Sequence, residues 1–131
     1  MPGFVTHHIF GINAFHSLPK GNAKDIIRKH NKAYSLGLQG PDLFFYFLPT
    51  SSGLFPNIAN KMHKENTGEF FNQLIIACST IKELEDYETC NAYIQGFIGH
   101  YLLDSAIHPY VYCKVTTKPD KEVPVSYTHL R

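Results

Sequence analysis

Residues 99–108 read Gly-His-Tyr-Leu-Leu-Asp-Ser-Ala-Ile-His and lie inside the longest helical pattern of the chain. Tyr93, Ile94, Phe97, Tyr101, Leu102 and Ile107 recur at helical separations. They predict a helix from Asp86 to about His108, with Pro109 disturbing its end. At ~100° per residue, steps of four return His100, Asp104 and His108 to one face, each drifting by ~40° and rising ~6 Å. The residues between them are mostly apolar. A carboxylate and two imidazoles facing such surroundings require pairing or coordination, because burying a lone carboxylate is costly. Zinc suits this donor set, since neutral imidazole nitrogen and carboxylate oxygen are both good ligands for it. The same spacing also fits a plain core helix with a His–Asp hydrogen bond and a solvent-facing second histidine. The motif alone leaves both readings open.

The remaining pattern is helical too. Val5, Ile9, Ile12 and Phe15 mark a helix from Val5 to Leu18, stopped by Pro19. Asn22 reads as the N-cap of a second helix reaching about Leu36, with Gly37 past its end and Ile26, Ile27 and Tyr34 on its apolar side. Gly40-Pro41 punctuates the chain, and Asp42 opens a short aromatic segment ending at Pro49. Residues 50–53 read as a loop, and Asn57 to Lys64 as a short helix. Thr67 is placed to cap a further helix carrying Phe70, Phe71, Leu74, Ile75 and Cys78. Only a short stretch near Val111 to Val115 alternates with period two. The fold class expected is all-α.

Composition narrows the function classes. A chain of 131 residues with 44% hydrophobic content suits one domain and is too apolar for disorder. Twelve Lys+Arg against eleven Asp+Glu give a net charge of +1, so no basic field holds nucleic acid and no acidic tail exists. The longest aromatic-aliphatic run, Leu43 to Leu48, is far short of the ~18–20 residues that span a bilayer, and it reads as core. The start, Met-Pro-Gly-Phe-Val-Thr-His-His, lacks a basic region and an apolar stretch, so no export signal and a cytoplasmic location are expected. Cys78, Cys90 and Cys113 form no C-x-x-C pair and read as reduced, buried thiols.

Three further features carry potential ligands: Thr6-His7-His8, Gly40-Pro41-Asp42 and Met62-His63. Singly, each also reads as a helix-start histidine, a capping carboxylate or a surface residue. Taken in order with His30-Asn-Lys-Ala-Tyr34 and with Gly99-His100-x3-Asp104-x3-His108, they resemble the zinc-dependent phospholipase C family. The likeness runs from Val5 to about Tyr112. It is similar both to the bacterial enzymes and to the N-terminal domain of glycosylphosphatidylinositol-specific phospholipase D.

The resemblance implies an all-α domain around as many as three zinc ions. It implies a first zinc on Asp42, His63, His100 and Asp104, with Asp104 bridging to a second zinc completed by His7 and the amino-terminal residue. His108 would open a third site. The family pattern has one histidine after a small residue at the first position, which favours His7 over His8. Asp42 is the implied general base as well as a ligand. The implied activity is hydrolysis of a phospholipid or other phosphodiester by an activated water, at a membrane surface engaged transiently. His16 and His30 have no place in the pattern and read as surface or supporting residues.

The sequence departs from the family at two points. It starts with Met-Pro-Gly-Phe where secreted members present Trp, and the histidine and acid expected after His108 are absent. Residues 125–131, Val-Ser-Tyr-Thr-His-Leu-Arg, match the translation of a transposon adaptor and read as a non-native tail. Residues 1–124 then read as the N-terminal part of the domain, holding about one zinc per chain. Two other readings share the ligand pattern: a single-strand nuclease, which the near-neutral charge disfavours, and a helical metal-binding module without catalysis.

Overall fold

The computed structural model describes residues 3–46, 58–64 and 66–116, and every regular element among them is a helix. In order these are α1 (Phe4–Ser17), α2 (Asn22–Lys29), α3 (Asn31–Gly37), a 3-10 segment (Gly40–Tyr46), α4 (Ile58–Lys64), α5 (Thr67–Ser79) and α6 (Leu84–Thr116). The all-α class is therefore correct. The loop expected at 50–53, the end of the aromatic segment and residues 125–131 lie outside the described residues.

Two boundaries differ from the sequence reading. The single helix expected from Asn22 to Leu36 is two, broken at His30, whose backbone leaves the helical region at φ −111° and ψ 43°. Side-chain contacts hold that break: His30 Nε2 lies 3.2 Å from Glu88 Oε2, and His30 Nδ1 lies 3.0 Å from Thr89 Oγ1. The cap position belongs to Gly21, so Asn22 is already helical. Helix α6 runs through Pro109 to Thr116, and the stretch read as alternating at 111–115 is helical. Proline costs an interior helix one hydrogen bond and crowds the preceding turn. Here Pro109 follows His108, the last buried residue of α6, on a stretch that is exposed or half-buried, and thirty-two other positions carry the helix on.

Helix α6 is the spine, about 50 Å long at 1.5 Å per residue. Helix α3 crosses it with backbone almost touching backbone. A Cβ on Gly37 would overlap the Tyr93 carbonyl, and one on Gly96 would overlap the Tyr34 carbonyl. The core groups Ile26, Ile27, Tyr34, Leu38 and Ala92. Leu38 wedges its side chain between Gly11 of α1 and Gly99 of α6, and Tyr34 donates its hydroxyl to the Gly11 carbonyl at 3.0 Å. Phe70 and Phe71 of α5 meet Phe97 of α6 at 5.5 and 5.6 Å between ring centroids.

Of the apolar stripe of α1, Phe15 packs against this core and the rest faces away from it. Val5, Ile9 and Ile12 are exposed, while His7 and Gly11 are buried. Close approach to Leu38 turns the glycine face inward, and periodicity alone does not show which face that is. Leu43 and Phe44 are likewise exposed, against the core reading of the aromatic run, because the tight 3-10 turn directs Asp42 inward instead. Of the three free thiols, Cys78 is buried, Cys90 half-buried and Cys113 exposed, so the buried-thiol expectation fails for Cys113. No described helix is long and apolar enough to cross a membrane.

Candidate metal centre

Three elements bring charged side chains to one buried spot. Helix α1 supplies His7, the 3-10 turn supplies Asp42, and α6 supplies His100, Asp104 and His108. Their exposures are 0, 1, 2, 5 and 7% respectively, in a molecule whose other most deeply buried side chains are apolar. Ionisable groups are almost never this buried unless they are paired or coordinate a metal.

The Gly40-Pro41 turn explains how Asp42 arrives there. Gly40 has φ +53°, a left-handed conformation open to glycine, and a Cβ on it would fall 2.5 Å from Cγ of the His100 ring. The bare backbone thus lies flat against the imidazole. One turn earlier, the Leu38 carbonyl lies 3.0 Å from His100 Nδ1. A carbonyl only accepts, so Nδ1 carries the proton and Nε2 keeps its lone pair for the cluster. Sequence reading treated Gly40 as punctuation and gave Leu38 no part in the site. The signal available was the Leu-Gln-Gly-Pro-Asp run itself, in which the acid follows an enforced turn.

The histidines and aspartates of the centre meet through Nε2 and a carboxylate oxygen. His100 Nε2 stands 3.3 Å from Asp104 Oδ2 and 3.9 Å from Asp42 Oδ1. His7 Nε2 stands 3.4 Å from Asp104 Oδ1 and 4.0 Å from Asp42 Oδ2. His108 Nε2 stands 3.6 Å from Asp104 Oδ1. The His7 and His100 rings stack at 4.1 Å with 16° between their planes. His7, Asp42 and His100 each offer one ligand atom within 4.8 Å of the others, close enough for the three to share a metal ion.

Burial pushes the His7 imidazole down to about 4, with His100 and His108 acting in the same direction and Asp104 and Asp42 opposing. At neutral pH His7 is therefore uncharged, and an uncharged imidazole is the form that binds metal. Its neighbour His8 points away and is exposed, as is His16. His63 lies in α4, and its side chain falls outside the described residues. The site thus joins five of the six ligand positions read from the sequence.

The model of the zinc dependent phospholipase C family matches residues 6–127. No match is found among curated proteins or among solved structures.

Proposed function

Since the chain belongs to the zinc-dependent phospholipase C family, we propose that it hydrolyses a phosphodiester bond of a phospholipid, with water as the nucleophile. The observation that carries this reading is the buried pair Asp42 and Asp104, faced by three imidazole nitrogens at 3.3–4.0 Å. Two carboxylates beside a histidine that stays neutral form a seat for divalent cations. The nitrogen and oxygen donors fit zinc.

Asp42, His63, His100, Asp104, His7 and His108 are the residues that would hold zinc. Bound zinc lowers the pKa of a water and screens the charge of the phosphate. The chain's own part is to fix the donors and handle the proton. The Leu38 carbonyl holds the His100 tautomer, and Gly40 sets the ring's position. Asp42 accepts the proton of the attacking water as its oxygen bonds to phosphorus. The ester bond to the glycerol oxygen breaks, that oxygen takes a proton from solvent water, and diacylglycerol and a phosphorylated head group are released.

The test is turnover by the zinc-loaded chain on phosphatidylcholine micelles and, in parallel, on single-stranded DNA. Release of diacylglycerol, abolished by Asp42→Asn, is the expected result. Cleavage of DNA without lipid turnover would make the chain a nuclease, and turnover of neither would leave a metal-binding module.

A further inference from the structure

The one buried residue of α5 is a thiol. Cys78 sits in the last turn of that helix, while Ile75 and Ile76 beside it are exposed. Its Sγ lies 3.9 Å from the Tyr87 carbonyl of α6. Cys90 stands one turn further along α6. Helical side chains lean toward the N-terminus of their helix, so the Cys90 side chain covers the turn that Tyr87 begins. The Cys78 and Cys90 thiols are accordingly in hydrogen-bond contact. The connection between the helices is held by its own backbone bonds. Thr80 N–H donates to the Ala77 carbonyl at 3.2 Å, Ile81 N–H to Cys78 at 3.1 Å and Tyr87 N–H to Glu83 at 2.9 Å. The thiol contact therefore belongs to the folded hairpin.

Three uses of two touching thiols can be told apart. Two sulfurs make half a zinc site, and among the described residues no third His, Cys, Asp or Glu completes one here. Apolar filling accounts for buried Cys78 alone. Cys90 is half-buried, so a reagent in solvent reaches one member of the pair while the other waits behind it. A disulfide asks for Cβ atoms ~3.5–4.5 Å apart, and thiols already in contact approach that by side-chain rotation and a small helix shift.

We propose that Cys78 and Cys90 form a redox-sensitive dithiol, which a small-molecule disulfide such as oxidised glutathione closes into a bond stapling the end of α5 to α6. Cys90, as thiolate, attacks one sulfur of the small disulfide. That S–S bond breaks, and one glutathione leaves and takes up the proton Cys90 gave. Cys78 then attacks the Cys90 sulfur of the mixed disulfide, its proton passing to the second departing glutathione. Two protein thiols lose two electrons and two protons, and the oxidant gains both as two thiols. Burial and the neighbouring Cys90 push the Cys78 thiol up to about 11, so closure is the slower step at neutral pH and quickens as pH rises. The staple fixes α5, whose Phe71 ring meets Phe97 and Tyr101, along the helix that carries His100. Neither the metal reading nor the choice of substrate bears on this assignment.

The experiment uses the Cys113→Ser chain, because exposed Cys113, ~34 Å further along α6, would otherwise react on its own. Incubated folded with oxidised glutathione at mildly alkaline pH, it should lose both free thiols and two hydrogens of mass, with no glutathione attached. Tm should rise by ~10 °C, and dithiothreitol should reverse the rise. Trypsin cuts after Lys82, between the two cysteines, so the bond appears as residues 65–82 joined to residues 83–114 until reductant is added. Cys78→Ser in the same background should stop at one glutathione on Cys90, and Cys90→Ser should not react. A glutathione that stays on Cys90 with Cys78 present, two untouched thiols, or a bond formed only in urea would overturn the dithiol. A bond that forms in the folded chain and leaves Tm unchanged would overturn the staple.

Discussion

His100 donates its Nδ1 hydrogen to the Leu38 carbonyl, 62 residues away in sequence and 3.0 Å away in space. That bond fixes the imidazole tautomer, so the core and the metal centre share one residue. Leu38 packs its side chain between α1 and α6 while its backbone orients a ligand.

Leu38→Ala should therefore damage two properties at once. Truncating a fully buried leucine costs about 2–5 kcal/mol, and the loosened carbonyl should weaken zinc binding by ~10–100-fold, as loss of an outer partner of a ligand does. Urea unfolding and a zinc titration with a competing chelator check the two effects. Normal zinc affinity in a destabilised variant would separate the carbonyl from the site.

Gly40→Ala should act more locally. The left-handed backbone costs an alanine about 1–2 kcal/mol, and its Cβ would displace the His100 ring. Zinc binding should fall sharply while most helical signal remains. Gly68→Ala, where the added carbon meets nothing, should be neutral or stabilise α5 by a few tenths of a kcal/mol up to about 1. Equal behaviour of the two variants would contradict the role given to Gly40.

Much of the fold was legible because helices announce themselves by period and punctuation. The ends of α1 and the existence of α4, α5 and α6 followed from Pro19, Lys64, Thr67 and the apolar spacing around Phe97. What remained hidden depended on partners far away in sequence. His30 breaks a continuous pattern because Glu88 and Thr89 hold its ring. Val5, Ile9 and Ile12 face outward because Gly11 is what fits against Leu38. The ligand stripe on α6 was readable from its steps of four. The reach of His108 toward the His7 side was not, since it depends on how α1 lies across α6.

The break at His30 predicts a pH effect. Glu88 is held below the ordinary carboxylate range by its hydrogen bonds to Lys29 and His30, and Lys29 is raised by the same contact. A depressed carboxylate stabilises above its ordinary value, 4.5, and loses that contribution as pH falls through its folded value. A raised lysine stabilises below its ordinary 10.5 and loses its contribution as pH rises through its folded value. Glu88→Gln should therefore lower Tm most between pH 4.5 and 10.5, with the difference shrinking on either side and in high salt. A difference that persists unchanged into acid would assign the effect to shape rather than charge.

Asp104→Asn should be the most damaging single change at the centre. Both oxygens of Asp104 face histidines, so the amide replaces an anionic donor on both sides. Turnover should drop by more than the ~10–100-fold typical of an outer-shell loss, with zinc released from both positions. His8→Ala, on the exposed side of the same helix as His7, should change neither activity nor zinc content. Retention of full zinc by Asp104→Asn would contradict the bridging role.

Diffraction from zinc-soaked crystals at the zinc absorption edge tests the central claim most directly. The account predicts anomalous signal among His7, Asp42, His100, Asp104 and His108, the five side chains that meet at the buried centre. A zinc-saturated crystal with no peak among these residues, and with His7 and His100 hydrogen-bonded directly to the two carboxylates, would contradict it.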